Sequence, residues 1–255
     1  MYFDTHAHYG SELYDGDREA LIASMPEQGV ELIINPGCTL ESSQGAVALA
    51  ERFPHVYAAV GVHPSDCHTW SEQVQDSLRQ LAKHPKVKAI GEVGLDYYWK
   101  DNAPADLQKE VFVKQMEIAQ QTKLPVIVHN RDAHKDTLDI VRQFKDVPGV
   151  YHCYAGSIED AKVLVKMDWM LSFTGVITFK NARKAIETAQ TVPLERIVIE
   201  TDCPFMAPEP FRGKRNNPAL VYRMAEKIAE LRGISVEDAQ RITTENGKRL
   251  YRIEA

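Results

Sequence analysis

Cysteine is scarce and scattered: Cys38, Cys67, Cys153 and Cys203 form no CxxC pair. That pattern argues against a disulfide framework or a zinc ribbon and predicts reduced thiols. Long apolar runs are missing too, and none approaches the roughly 20 residues needed to span a bilayer. The opening Met1-Tyr2-Phe3-Asp4 lacks the basic flank and apolar stretch of a signal peptide, so a cytoplasmic protein without membrane partners is expected. Positive charge is not in excess: 30 Lys and Arg stand against 36 Asp and Glu, a formal net charge of −6. A wholly basic surface coating nucleic acid is thereby excluded, although a local basic patch inside a cleft is not. There is no internal repeat, low-complexity tract or long linker. The glycine-rich loop that opens many dinucleotide-binding sheets is also missing, because Asp4-Thr5-His6-Ala7-His8 follows the first strand candidate.

What is present is ordinary globular material: 255 residues, 44% hydrophobic and 26% charged. That length suits one α/β barrel. Short β-branched apolar runs recur at Tyr2–Asp4, Glu31–Asn35, Val56–Val60, Val87–Gly91, Val126–Val128, Val150–His152, Trp169–Phe173 and Ile197–Glu200. Several are almost continuously apolar, as strands covered on both faces of a parallel sheet must be. Helical spacing fills the gaps. Thr69-Trp70-Ser71-Glu72 reads as a capping box ahead of Val74, Leu78 and Leu81, and Ser157 to Asp160 as a weaker one. Residues 106–122 form a longer amphipathic run, and Val221 to Leu231 line one face before Gly233 stops the helix. A shorter helix is expected from Ser235 toward Asn246. Alternating strands and helices with right-handed crossovers predict a (β/α)8 TIM barrel, a single domain over residues 1–255.

Polar residues cluster where such a fold builds its sites. His6 and His8 close the first strand; Glu92 follows the fourth; His129 and His152 end the fifth and sixth; Asp202 follows the eighth. The C-terminal ends of barrel strands converge on one face. The i, i+2 spacing of His6 and His8 aims both imidazoles the same way on an extended backbone. Glu92 and Asp202 beside them would be uncompensated carboxylates, costly to bury unless they bind a cation. No lysine or arginine belongs to the set, so a divalent metal ion resolves the conflict.

The sequence resembles the TatD family of metal-dependent deoxyribonucleases, within the amidohydrolase-like barrels. The resemblance runs over essentially the whole chain and is carried by several stretches in order: Asp4 to His8, Gly61-Val62-His63-Pro64, Gly91 to Tyr97, Pro125 to Arg131, His152 to Ser157, and Glu200 to Pro204. Arg212 to Asn216 and Thr244-Glu245-Asn246 add to it. The resemblance implies that His6, His8, Glu92 and Asp202 hold one metal ion. It implies that Glu92, His129 and His152 hold a second, with Glu92 bridging. Asp202 is then the candidate for orienting or deprotonating the attacking water. The chain shows no departure at these positions and keeps the first HxH, which some relatives lack.

Other residues carry two readings each. His63 is either a phosphate contact or proton donor, or a structural histidine fixed by Pro64. Arg131 is a phosphate clamp or a salt-bridge partner of Asp132. Glu200 orients a ligand or makes a buried structural bond. Arg212, Lys214 and Arg215 form a local basic excess that suits phosphate recognition, or merely a solvated face. Tyr97, Tyr98 and Trp99 stack on an unpaired base or pack the lid. The expected activity is removal of nucleotides from DNA, single-stranded or frayed at a 3′ end, with no stable protein partner. A metal-dependent hydrolase of an ester, lactone, amide or aminoacyl-tRNA is the alternative, and a non-catalytic metal- or nucleic-acid-binding protein stands behind it. Imidazole ligands suit Zn2+ or Mn2+ better than Mg2+, although the resemblance also admits Mg2+.

Overall fold

Eight β-strands occur among the described residues, 1–254 of the computed structural model: β1 (Tyr2–Asp4), β2 (Val30–Pro36), β3 (Val56–Val60), β4 (Val87–Asp96), β5 (Val126–Arg131), β6 (Gly149–Tyr151), β7 (Met170–Phe173) and β8 (Ile197–Ile199). Between and after them come α1 (Arg18–Ser24), α2 (Leu40–Arg52), α3 (Glu72–Leu81), α4 (Ala105–Thr122), α5 (His134–Val141), α6 (Ile158–Lys166), α7 (Arg183–Thr191), α8 (Tyr222–Arg232) and α9 (Val236–Tyr251). The strands follow one another in the sheet in chain order, β1 to β8, and the described pairings are parallel. This is the expected (β/α)8 barrel order. No helix is long and apolar enough to cross a membrane among the described residues.

The chain divides into two compact units, Pro36–His152 and the combination of Met1–Asn35 with Cys153–Ala255. Within the first, α4 does more than cover β4. Its buried Gln115 accepts from Val62 N at 2.7 Å and donates to Val62 O at 2.9 Å, while buried Gln108 accepts from Asp96 N at 2.8 Å and donates to Asp96 O at 3.0 Å. Seven residues apart, the two amides lie on one helical face and fix the backbone at the ends of two strands. Within the second unit, α9 packs on β1 and β8. Asn246 donates to Leu194 O and Ile197 O, and Gly247 is so close to Phe3 that a Cβ would lie 2.6 Å from its ring.

Several boundaries differ from the sequence expectation for physical reasons. Helix α3 starts at Glu72 with Ser71 accepting from Val74 N at 3.2 Å, so Thr69 is not its cap. The Thr69 hydroxyl instead donates to Asp66 O and closes the preceding helical turn. Ser157 does cap α6, accepting from Asp160 N, and Gly233 ends α8 at φ 63°. The last helix is not the shorter one: α9 has 16 residues against 11 for α8. Strand β4 continues through Glu92 to Asp96, so Glu92 lies inside a strand rather than after it. The pairing of β4 with β5 shifts between Ile90 and Val93, a bulge that redirects the intervening side chains.

Candidate metal centre

In the unit Pro36–His152, one carboxylate oxygen gathers three imidazoles. Glu92 Oε1 lies 2.9 Å from His152 Nε2, 3.0 Å from His129 Nδ1 and 3.6 Å from His63 Nε2. Glu92 is buried, and the ring nitrogens of His129 and His152 approach to 3.4 Å. The local sequence explains how Glu92 reaches this position. Gly91 and Gly94 flank it, and both are required: a Cβ at Gly91 would meet Ile127 Cβ at 2.7 Å, and one at Gly94 would lie 2.0 Å from His129 O, at a φ of 139°. Two glycines thus let β4 bulge against β5 and aim the glutamate at the histidines.

His129 is held from both sides. Its Nε2 lies 3.0 Å from Asp96 Oδ2, opposite the Glu92 contact. An ionised carboxylate can only accept, so the Asp96 bond places a proton on Nε2 and leaves the Nδ1 lone pair facing Glu92. A lone pair facing a carboxylate oxygen requires a positive charge between them. Burial alone lowers the His129 pKa, but the Asp96 and Glu92 carboxylates overcome it and the net shift is upward. Burial likewise raises Asp96, yet His129 and the backbone N–H groups of Tyr98 and Trp99 bring it below the usual carboxylate range. A divalent cation on the Nδ1 side satisfies the same charges as a second ring proton would. The donor chemistry fits a metal ion on this observation.

His63 differs from its neighbours. Its Nδ1 accepts from Ser65 N at 3.2 Å, so in the neutral ring the proton is on Nε2, the nitrogen facing Glu92. One ligand atom each from His63, Glu92 and His129 lies within 4.8 Å of the others, close enough to share an ion. The Ser65 bond favours His63 as a donor of a hydrogen bond over a metal ligand. Arg131 does not turn to Asp132: its guanidinium lies over the Tyr98 ring at 3.8 Å and the Trp99 ring at 5.2 Å.

The other unit holds a histidine and carboxylate group of its own. His6 Nε2 and His8 Nε2 are 3.0 Å apart, and Asp202 Oδ1 lies 3.8 Å from the first and 3.4 Å from the second. Two chain segments are zipped together to bring this about. Asp202 N donates to His6 O and His8 N donates to Cys203 O. Buried Asp4 accepts from Thr201 N at 2.9 Å, Thr201 Oγ1 at 2.5 Å and His6 N at 3.3 Å. Burial pushes its carboxyl up to about 8 against those hydrogen bonds. Asn216 ties down the next loop, donating to Thr201 O and Phe205 O. Glu200 accepts from Cys153 N at 2.7 Å, fixing the residue that follows His152. Asp202 and Cys153 both have positive φ, 53° and 46°, a conformation costing a non-glycine residue about 1–3 kcal/mol and concentrated at functional sites.

The basic loop divides. Arg215 forks onto Asp17, with distances of 2.8 and 2.5 Å, and lies 5.0 Å from the Tyr14 ring centroid, so its donors are already engaged. Arg212 lies over the Phe179 ring at 4.5 Å, and Lys214 is exposed.

The model of the family described as TatD related DNase matches residues 3–252. The chain belongs to the TatD family. It is 46% identical over 255 residues to the uncharacterized metal-dependent hydrolase YabD of Bacillus subtilis, covering 99% of this chain and 100% of the relative. It is 32% identical over 260 residues to the 3'-5' ssDNA/RNA exonuclease TatD of Salmonella typhimurium, covering 98% of each. The crystal structure of YJJV, a TatD homolog from Escherichia coli K12, matches with a TM-score of 0.93 at 29% identity, over 99% of this chain and 98% of that one. The family supplies the coarse chemistry, that of a metal-dependent hydrolase, and the clustered histidines and carboxylates can bind metal. Among the residues of this TatD-family site, Asp96, Gln108, Asp4 and Thr201 were not singled out from sequence. Asp96 lies within the stretch from Gly91 to Tyr97, but only its partner His129, 33 residues on, reveals what it does.

Proposed function

We propose that this TatD-family chain is a divalent-metal-dependent deoxyribonuclease that removes nucleotides from single-stranded or frayed DNA, from the 3′ end. His6, His8, Asp202, Glu92, His129 and His152 would hold the divalent ions, two on this reading. The observation carrying this reading is the buried Glu92 oxygen with imidazole nitrogens at 2.9 and 3.0 Å. A relative named as a 3'-5' ssDNA/RNA exonuclease supports the substrate class.

A divalent pair in such a site supplies Lewis acidity and neutralises charge on a phosphodiester undergoing in-line displacement. The chain's own residues do the rest. Asp96 keeps the His129 lone pair on the Glu92 side. Glu200 holds the backbone beside His152, and Asp4 locks Thr201 next to Asp202. His63, with its proton on Nε2, donates a hydrogen bond to a phosphate oxygen and is the candidate proton donor for the leaving oxygen. Asp202 orients or deprotonates the attacking water. Arg131, Arg212 and Lys214 contact the phosphate backbone. Arg215, committed to Asp17, shapes the loop that carries Arg212 and Lys214.

The test is digestion of a 5′-labelled single-stranded oligonucleotide with protein reloaded with Mg2+, Mn2+ or Zn2+. A ladder shortening from the 3′ end, abolished by chelator and by Glu92→Gln, is expected. Intact DNA under all three metals, with turnover of carboxyl esters instead, would assign the site to acyl chemistry.

A further inference from the structure

We propose that Tyr98, Trp99 and Arg131 form a stacking subsite for an unpaired nucleobase, tied to His129 through Asp96. This inference rests on the nuclease reading and names how that site would select single strands. The β4–α4 connection leaves two large aromatic side chains in solvent, Tyr98 at 50% and Trp99 at 56% exposure. Their rings meet edge to face, centroids 4.9 Å apart at 88°, so they present two nearly perpendicular surfaces. Arg131 stacks over Tyr98 at 3.8 Å rather than pairing with its neighbour Asp132, which stiffens the Tyr98 ring and leaves guanidinium donors for a phosphate.

The loop is not a loose hydrophobic lip. Asp96 Oδ1 accepts from Tyr98 N at 2.9 Å and Trp99 N at 3.4 Å, while Oδ2 holds His129 Nε2 at 3.0 Å. Gln108 and Asn102 both donate to Asp96 O, and Gln108 also accepts from Asp96 N. Tyr97 N donates to Arg131 O, and the Tyr97 hydroxyl donates to Asp136, so the adjoining backbone is held as well. One carboxylate therefore sets the spacing between the aromatic corner and the imidazole that faces Glu92. A rigid aromatic corner with a cation at its edge suits a base and its attached phosphate. Base–aromatic stacking tolerates every base, because each has a π-face, whereas in a duplex that face is covered by neighbouring pairs. The subsite thus favours single strands without reading sequence.

The experiment compares binding of cleavage-resistant phosphorothioate oligothymidylate with an abasic strand of the same length and charge, on metal-loaded protein. Wild type should prefer the base-bearing strand by about fivefold or more, the effect of one base–aromatic stack. Trp99→Ala and Tyr98→Ala should lose that preference, and Trp99→Phe should restore most of it. These exposed positions are read beside a thermal melt showing wild-type folding. If wild type digests single-stranded DNA but the alanine variants retain the full preference, the subsite is wrong and the nuclease reading stands. If wild type neither binds nor digests any nucleic acid, both fall.

Discussion

Replacing Asp96 with asparagine changes one charge and almost no volume, and it isolates the device that orients His129. The carboxylate accepts from His129 Nε2 at 3.0 Å and from Tyr98 N at 2.9 Å. In Asp96→Asn the side-chain oxygen can keep the Tyr98 bond, which turns the amide NH2 toward His129. An amide donor facing Nε2 requires a lone pair there, so the ring's proton moves to Nδ1, the nitrogen facing Glu92. A hydrogen bond to a charged partner is worth about 1.5–3 kcal/mol, or roughly 10- to 150-fold in an equilibrium. Outer partners of metal-bound histidines typically contribute about 10- to 100-fold in affinity. Competition with a chromophoric chelator at pH 7.5 should therefore show Zn2+ or Mn2+ affinity weakened by about 10- to 100-fold, with circular dichroism unchanged. Affinity within twofold of wild type would refute the orientation argument, because the ring would then hold its tautomer without Asp96.

Other consequences are equally open to measurement. Arg212→Ala and Lys214→Ala should each weaken single-stranded DNA binding and lower the slope of log affinity against log salt by about 0.7. Arg215→Met should leave that slope unchanged, because its guanidinium is committed to Asp17. Gly94→Ala should lower the melting temperature by several degrees. A Cβ there lies 2.0 Å from His129 O at φ 139°, strain of about 1–3 kcal/mol before the clash is relieved. The Lys109 ammonium and the Tyr97 hydroxyl hold the Asp136 carboxyl below the usual range. Its folded pKa is thus below the unfolded value, so the contribution to stability is present above about pH 4 and lost as pH falls through the folded pKa. Lys109→Met should raise the Asp136 titration midpoint by NMR; an unmoved midpoint would remove the ion pair as the cause.

The fold was legible because strand periodicity is short-range: β1, β3 and β7 were placed within a residue from apolar runs alone. His152 falls directly after β6 as expected and His6 and His8 follow β1, whereas β5 runs on past His129 to Arg131, so His129 lies inside its strand rather than at its end. The sequence places Glu92 after β4, because glycines on either side look like a strand stop; only the close approach of β5 shows that they permit a bulge. Asp96 carries no local sign of its task, since its partner His129 is fixed by pairing of β4 with β5 rather than by spacing. Thr69 offered a better capping pattern than Ser71, but a helical turn over Pro64–Thr69 takes up its hydroxyl. Helix α9 outruns its expected end because Asn246 and Gly247 look like terminators yet are buried, Asn246 bonded to Ile197 O of β8 and Gly247 close against Phe3 of β1. Arg215 belonged to an evident basic run, and its partner Asp17 lies 198 positions away.

Elemental analysis of the purified protein, wild type beside Glu92→Gln and His129→Ala, bears most directly on the central claim. The account predicts up to two divalent ions per chain in wild type, with both variants losing at least one and remaining folded. Wild-type protein that binds no divalent ion at saturating metal, or variants that retain the full complement, would contradict it.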